Sequence, residues 1–377
     1  MPIPRNHNYI TACLAMSSVF SVSPVKWRAL LGMPGVSAES LIFGCSDGTT
    51  LDSLTAQQQE YVVTLQKAID WKAVDNALHW LAKSDTHHIV TDKHEHWPES
   101  FGLLQSAPLV LFCKGDTALL SKQQVAVVGS RRASPAGLQH AYDFSAQLAG
   151  SDIVVTSGLA CGVDGAAHKG ALSEQGHTIA FLGTGPDRTY PYRNRKLQER
   201  ITQEGGLVAS EFFPGTPPKR HHFPQRNRLI AAIAEGTLVV EATTKSGTLI
   251  TANLAADMGR DVFAIPGSID NPLYEGCHAL IQQGAKLVTN AGEIAEELTG
   301  SFNAVGIAQQ TNAQKSEDQN LATDKLLDNV EFDVTSVDII TERSALPVSE
   351  VLAALLEYEL RGLVAAVPGG YVKLRGK

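Results

Sequence analysis

Cysteine is scarce in this sequence, and long apolar runs are missing. Its 377 residues include five cysteines, which form no Cys-x-x-Cys pair. This pattern argues against a zinc ribbon, a thioredoxin-type centre and a disulfide scaffold. No apolar run approaches the about 18 residues of a membrane span, so we expect no membrane association. The apolar segment Ile10–Phe20 lacks a good small-x-small cleavage site, and a reduced cytoplasm is the expected compartment.

Positive charge is also in short supply. Lys and Arg number 31 against 39 Asp and Glu, giving a net charge of −8. A uniformly basic, nucleic-acid-coating protein is therefore excluded, but a local basic patch is not. Apolar residues make up 44% of the chain, which is typical of folded globular proteins.

Two phosphate-binding signatures are absent. Gly129 is followed by Ser130 and Arg131, so the Gly-x-Gly-x-x-Gly fingerprint of dinucleotide sites is not formed. No Walker-type Gly-x4-Gly-Lys-Ser/Thr segment occurs, which argues against a P-loop NTPase.

Hydrophobic periodicity and composition divide the chain into five segments. Residues 1–85 show helical spacing and predict a small helical domain, similar to SAM or helix-hairpin-helix units. Residues 86–106 are polar and His-rich and are interpreted as a solvated connector. Residues 107–298 form the core, residues 299–320 a flexible linker, and residues 321–377 a C-terminal domain.

The core alternates continuous apolar runs with helical patterns. Such runs are typical of strands that are covered on both faces. The order predicts an α/β fold, with an extended Rossmann-like, doubly wound and mostly parallel sheet. The predicted strands are Leu109–Cys113, Gln124–Val128, Ile153–Thr156, His177–Leu182, Gly206–Ser210, Thr237–Glu241, Val262–Ile265 and Lys286–Val288.

The C-terminal domain has the outline of a winged helix. Two helical patterns, Thr335–Arg343 and Ser349–Arg361, precede a hairpin with its turn at Pro368, and Ser349 is the predicted N-cap of the second helix. Residues 321–377 hold six Lys and Arg against nine Asp and Glu. This charge disfavours a transcription factor that grips duplex DNA, and favours protein contacts.

Three turns carry candidate ligand-binding residues. Residues 129–131 follow one strand and precede a helix capped by Ser134, and residues 245–248 stand before another helix. Small residues around Gly158 would permit a ligand to approach the backbone closely. Helix N-termini with hydroxyl and cationic side chains suit phosphate. The alternative is a set of ordinary glycine turns.

A basic stretch lies between these turns. Residues 186–228 contain nine Lys and Arg against four acids, and Tyr190, Tyr192 and Phe223 are interleaved with them. Local positive charge on an acidic protein indicates a polyanion groove, and aromatic rings can stack on the bases of single strands. The alternative is a solvated loop with Phe223 in the core.

Enzyme hypotheses are weaker. Phosphoribohydrolases of the lysine-decarboxylase-like type resemble Pro-Gly-Gly-x-Gly-Thr-x-x-Glu, but no acid follows Gly247 here until Asp257. Glu241 precedes the turn and is a weak substitute for a catalytic carboxylate. Cys161 and His168 form a possible nucleophile and base, but no third group orients them.

The ordered motifs of the core resemble the DNA-processing protein A family (DprA, also called Smf). The motifs are VAVVGSRRASPAG (125–137), SGLACGVDGAAHKGAL (157–172), TIAFLGTGPDRTYP (178–191), FPQRNRLIA (223–231), VVEATTKSGTLITA (239–252), GRDVFAIPGS (259–268) and LIQQGA (280–285). The chain departs from the family pattern at Cys277 and His278, where a small polar residue and Asn are usual, and residues 1–100 match only loosely.

The resemblance implies a non-enzymatic bacterial protein that binds single-stranded DNA, forms a homodimer and loads the recombinase RecA during natural transformation in competent cells. No cofactor or metal is implied, and an apolar edge near Leu280 and Ile281 is a candidate dimer contact. The implied DNA- and phosphate-binding residues are Gly129, Ser130, Arg131, Gly158, Arg220, Phe223, Arg226, Arg228, Lys245, Ser246, Gly247 and Thr248.

Overall fold

The computed structural model describes residues 8–44, 54–299 and 326–374. The strands are β1 His87–Val90, β2 Leu111–Gly115, β3 Gln124–Val128, β4 Val154–Ser157, β5 Thr178–Phe181, β6 Leu207–Ser210, β7 Gly236–Val239, β8 Asp261–Ala264, β9 Lys286–Leu287, β10 Val364–Val367 and β11 Gly370–Lys373. The helices are α1 Tyr9–Ser17, α2 Pro24–Leu31, α3 Ala38–Phe43, α4 Ala56–Lys67, α5 Trp71–Leu81, α6 Pro135–Gly150, α7 Val163–Ser173, α8 Arg195–Gln203, α9 His222–Ile233, α10 Gly247–Asp257, α11 Glu275–Gln282, α12 Ala291–Thr299, α13 Val337–Ser344 and α14 Val348–Leu360.

The first nine strands form one sheet in the order β1-β2-β6-β5-β4-β3-β7-β8-β9. The seven strands β6-β5-β4-β3-β7-β8-β9 run parallel to one another. At one edge, β2 pairs antiparallel with β6, and β1 pairs antiparallel with β2. All five residues of β3 are buried, as continuous apolar runs require. The predicted Rossmann-like, mostly parallel sheet is confirmed.

The strand order reverses between β3 and β7. From β3 the chain first moves through β4, β5 and β6 on one side, and then returns to β7 on the other. In open α/β sheets, ligands bind outside the carboxyl ends of the strands at such a reversal. The predicted turns after β3 and before α10 both lie at this point.

The prediction of a solvated connector over residues 86–106 is wrong for β1. His87–Val90 pairs with β2, the ring of His87 stacks on Trp80 at 4.3 Å between centroids, and Val90 is fully buried. An edge strand needs only one buried face, so its polar residues did not reveal it. Helix α12 was also not predicted; its Ile294 is buried in the sheet's core.

The five N-terminal helices share a hydrophobic core with the β2 side of the sheet. Trp27 and Leu41 pack in one cluster with Ile89 and Phe112, and Arg28 donates a hydrogen bond to the carbonyl of Pro108 at 2.8 Å. The turn between α2 and α3 uses Gly35 at φ 77°. Such a positive φ suits glycine, which lets the chain turn between the two helices.

The C-terminal unit consists of α13, α14 and the β10–β11 hairpin, and the predicted winged-helix outline is confirmed. The predicted N-cap Ser349 is wrong, because α14 begins one residue earlier, after Pro347, and no side chain caps it. Residue 299 ends α12, and the rest of the predicted linker 299–320 lies outside the described residues. No helix in the described ranges combines the length and the apolarity that a bilayer crossing requires.

Candidate nucleic-acid interface

The loops after β3 and β7 are joined directly at the reversal of the strand order. The Ser130 N–H donates to the carbonyl of Glu241 at 2.8 Å, and the Thr248 hydroxyl donates to the carbonyl of Gly129 at 3.0 Å. Ser246 accepts from the backbone N–H of Thr248 and caps α10. The structure thus brings both predicted phosphate-binding turns to one surface, called the strand-end surface here.

Glycines let these loops pack against α7. A Cβ on Gly129 would lie 2.5 Å from a methyl carbon of Val163. Gly162 has a φ of +76°, and its Cβ would lie 2.2 Å from the carbonyl oxygen of Ser130. Packing alone therefore explains both glycines, and the exposed side chains must carry any binding function.

Glu241 is committed to the start of α6. It is fully buried, and it accepts hydrogen bonds from the N–H of Ser134 at 2.9 Å and from the Ser134 hydroxyl. Burial raises the pKa of Glu241, and the bonds from Ser134 oppose this shift. A carboxylate held in this way is not available as the catalytic group of a nucleotide hydrolase.

His168 is likewise a structural residue. Its Nε2 accepts from the N–H of Leu159 at 3.3 Å, and its Nδ1 bonds the hydroxyl of Thr178 at 2.7 Å. Burial lowers the pKa of His168 to about 3. Both ring nitrogens are occupied, so His168 cannot serve Cys161 as a base.

Arg226 is buried, and the expectation that it lines a groove is wrong. It is 3% exposed, and its Nη1 donates to the carbonyls of Gly158, at 2.6 Å, and of Phe181. These carbonyls lie at the ends of β4 and β5. Burial lowers the pKa of Arg226 to about 10, and the buried carboxylate of Asp164 opposes that shift. Arg226 is a positioning residue that ties α9 to two strands.

Gly158 provides the space for this guanidinium. A Cβ at residue 158 would lie 2.4 Å from Nη2 of Arg226. Gly158 is itself buried, so the structure does not present it to a ligand.

Arg228 is also withdrawn from solvent, contrary to expectation. Its side chain is 15% exposed and forms an ion pair with Glu211, whose side chain is 7% exposed. Burial raises the pKa of Glu211 to about 7, while the charge of Arg228 opposes the rise. An arginine that is already paired with a buried carboxylate binds a phosphate only weakly.

Phe223 is half-buried and lies beside an exposed tyrosine and an exposed arginine. The guanidinium carbon of Arg131 is 5.4 Å from the centroid of the Phe223 ring, and the ring of Tyr190 is 5.4 Å away on a tilt of 44°. Tyr190 is 48% exposed, and Arg131 is exposed. We call these three residues the Arg131–Phe223–Tyr190 cluster. Cation–π contact favours this arrangement.

Gly183 permits the cluster to form. Its Cβ would lie 2.9 Å from a ring carbon of Phe223, so a larger residue would displace the ring. Asn194 supports the neighbouring loop by donating to the carbonyls of Leu159 and Ala160 at 2.9 and 3.0 Å. Sequence reasoning missed both residues, because neither stands in a charged or aromatic pattern.

Further cations on the two predicted turns and just before α9 are exposed. Arg132, Lys245 and Arg220 are all exposed. None of them has an ion-pair partner within residues 8–44, 54–299 and 326–374. Free cations next to exposed rings can contact both the phosphates and the bases of a strand. Lys245 lies in the turn before α10, and Gly247, which is exposed, is the first residue of that helix.

This combination of fold and site defines a Rossmann-like binding protein with a winged-helix unit, in which the candidate catalytic groups are committed to structure. The chain belongs to the DNA recombination-mediator protein A family, whose family model matches residues 88–299. A second model, the DprA winged helix domain, matches residues 310–370. The family consists of recombination mediators, which confirms the prediction of a non-enzymatic protein.

The similarity to curated relatives extends beyond the core. The chain is 42% identical to Protein Smf of Escherichia coli over 306 residues, which cover 81% of this chain and 82% of that protein. It is 47% identical to DNA processing protein DprA of Streptococcus pneumoniae over 201 residues, covering 53% and 71%.

Solved structures agree with this assignment. The Streptococcus pneumoniae DprA structure matches with a TM-score of 0.62 and 35% identity, covering 79% of this chain and 99% of that one. A Helicobacter pylori DprA structure, described for its single-stranded DNA binding mode, matches with a TM-score of 0.51 and 31% identity, covering 57% and 98%.

Proposed function

We propose that the protein binds single-stranded DNA on its strand-end surface and mediates the loading of RecA on that DNA in natural transformation. The observation that carries the proposal is the Arg131–Phe223–Tyr190 cluster. It presents a guanidinium beside one exposed and one half-buried ring at the carboxyl ends of the parallel strands. The family and the Helicobacter pylori relative support it.

The positions of these residues indicate which part of a DNA strand each would contact. Arg131, Arg132, Lys245 and Arg220 would contact backbone phosphates, because they are exposed and unpaired within the described residues. Ser130 and the turn at Gly247 would add hydrogen bonds to phosphate. Stacking on Phe223 or Tyr190 is tolerant of sequence, because every base has a π-face. Duplex DNA hides those faces, so single strands should bind more tightly.

Arg131→Ala should weaken the binding of an oligo-dT strand and lower the magnitude of the salt slope, d log K/d log[salt], by about 0.7. Fluorescence anisotropy at several salt concentrations measures both quantities. The matched control is Arg200→Ala, because Arg200 is exposed in the same basic stretch but paired with Glu204 at 2.8 Å. Equal losses in both variants, or tighter binding of duplex than of single strand, would contradict the proposed interface.

The same variants also test the proposed loading of RecA on single-stranded DNA. On a single strand coated with a single-strand-binding protein, the wild type should accelerate RecA filament formation, and Arg131→Ala should not. Acceleration without DNA binding would separate the two parts of the proposal. Release of a base from a nucleoside monophosphate would instead revive the hydrolase alternative.

We also propose a homodimer through the β9 edge of the sheet. Leu280 is buried in the core and cannot form the contact. Ile281 is half-buried, and Leu287 on the edge strand is 45% exposed. Within the described ranges, no strand pairs with β9 on the side away from β8. An unpaired edge with an exposed leucine is suited to pairing with a second copy.

Leu287→Glu should therefore reduce the mass in solution from twice 40.3 kDa to 40.3 kDa, as measured by light scattering. Val63→Glu is the control, because Val63 is 44% exposed on α4, an element remote in sequence from this edge. A dimer that survives Leu287→Glu at micromolar concentration would place the contact elsewhere.

A further inference from the structure

Helix α14 of the winged-helix unit has two apolar faces. One face is packed in the core of the unit through Val351, Leu355 and Tyr358. The second follows positions spaced by four residues, which lie along one side of a helix. Its members, with their exposed fractions, are Val348 (49%), Leu352 (44%), Leu356 (57%) and Leu360 (82%). We call this second face the α14 stripe.

Apolar exposure continues beyond the helix. Ile339 on α13 is 41% exposed, and Leu346 in the turn before α14 is 38% exposed. Single exposed apolar residues are normal, but a row of large ones marks an interaction surface. The row lies on the second helix of a helix-turn-helix pair, where a DNA-binding winged helix would instead carry polar and basic residues.

The charge of the unit defines the kind of partner. Residues 326–374 contain eight carboxylates and three basic side chains. All three basic residues are paired: Arg343 with Glu331, Arg361 with Glu357, and Lys373 with Asp328. The carboxylates without an ion pair inside these residues are Asp333, Asp338, Glu342, Glu350 and Glu359. Glu359 stands three residues after Leu356 on α14, and Glu342 three residues after Ile339 on α13, spacings that make each acid a neighbour of the exposed apolar row.

We infer that the α14 stripe docks a basic amphipathic helix of a partner protein. Such a helix would place apolar anchors at i, i+3, i+4 and i+7 against Leu352 and Leu356, and its Lys or Arg residues would meet Glu359 and Glu342. Duplex DNA does not fit, because it would face unpaired carboxylates across an apolar surface. A second copy of this face fits less well, because two acidic rims would repel each other.

The test uses the full chain and a fluorescein-labelled helical peptide of about 18 residues, or five turns. The peptide carries Leu at the anchor positions and Lys at the others; a matched peptide carries Glu in place of Lys. We expect the Leu/Lys peptide to bind with at least about tenfold higher affinity than the Leu/Glu peptide. The double substitution L352S/L356S should weaken this binding by about tenfold or more, because two buried anchors are lost.

Two further variants separate charge from fold. E342Q/E359Q should weaken binding of the Leu/Lys peptide by about threefold and flatten its salt dependence. Val63→Ser, at a similarly exposed position on α4, should leave binding unchanged. Circular dichroism verifies that each variant keeps its helix content, as expected because the altered residues lie on the surface.

Three results would overturn the inference. The first is equal affinity for the Leu/Lys and Leu/Glu peptides, or equal binding by L352S/L356S and wild type. The second is a fall in solution mass caused by L352S/L356S, which would assign the stripe to a second copy of this chain. The third is duplex DNA binding that L352S/L356S abolishes while Arg131→Ala leaves it intact.

Discussion

Arg226→Ala should lower the free energy of unfolding by about 2–6 kcal/mol, because two buried carbonyls lose their donor at a cost of about 1–3 kcal/mol each. The substitution removes the donor to the carbonyls of Gly158 and Phe181, and it leaves Asp164 buried without the compensating charge. The ends of β4 and β5 would also lose their connection to α9. Urea denaturation followed by far-UV circular dichroism measures the loss.

Two controls make this prediction specific. Arg220→Ala removes an exposed arginine six positions earlier and should change stability by less than about 0.5 kcal/mol. The double variant Asp164→Asn with Arg226→Met should lose less than the sum of its single substitutions, because the two charges compensate each other. An Arg226→Ala protein with wild-type stability but no DNA affinity would return Arg226 to the DNA-contacting residues.

The fate of Arg226 and Arg228 shows which part of a site the sequence can predict. Both arginines stand in the same basic stretch as Arg220, and nothing local distinguishes them. Arg226 is buried by carbonyls 68 and 45 positions away, and Arg228 by a glutamate 17 positions away. Burial of a long cationic side chain depends on which strand ends meet it, which is a property of the assembled sheet.

The fold was easier to predict from the sequence than the site was, for a physical reason. Strands covered on both faces are mostly apolar, and β3 shows this in the four consecutive residues 125–128. The turns at Gly129 and Ser246 were equally visible, because each leads to a helix with a capping hydroxyl, Ser134 before α6 and Ser246 before α10. Strand β1 escaped detection because an edge strand tolerates polar residues such as His87 and His88.

The partner surface of the C-terminal unit was predictable from the sequence only in part. The acidic charge of the C-terminal unit was readable from composition, and it already argued against a grip on duplex DNA. The exposure of Leu352 and Leu356 was not readable, because a helix with apolar residues on two faces looks in sequence like a helix buried on both. Only the packing of Leu355 and Tyr358 shows which face folds the unit.

Phe223→Ala should weaken the binding of oligo-dT by about 1–3 kcal/mol, or about 5- to 150-fold, because one base loses its stacking platform. The salt slope should stay at the wild-type value, since no charge is removed. Arg131→Ala, only 5.4 Å away, should change that slope. Two touching residues therefore have different thermodynamic signatures in the same anisotropy titration.

Conservative variants decide whether the ring stacks on DNA or only fills space beside Gly183. Phe223→Tyr keeps the π-face and should bind like the wild type. Phe223→Leu keeps most of the volume but has no ring, and it should lose nearly as much affinity as Phe223→Ala. If Phe223→Leu binds oligo-dT as tightly as the wild type, Phe223 is a packing residue, and the exposed ring of Tyr190 must carry the stacking instead.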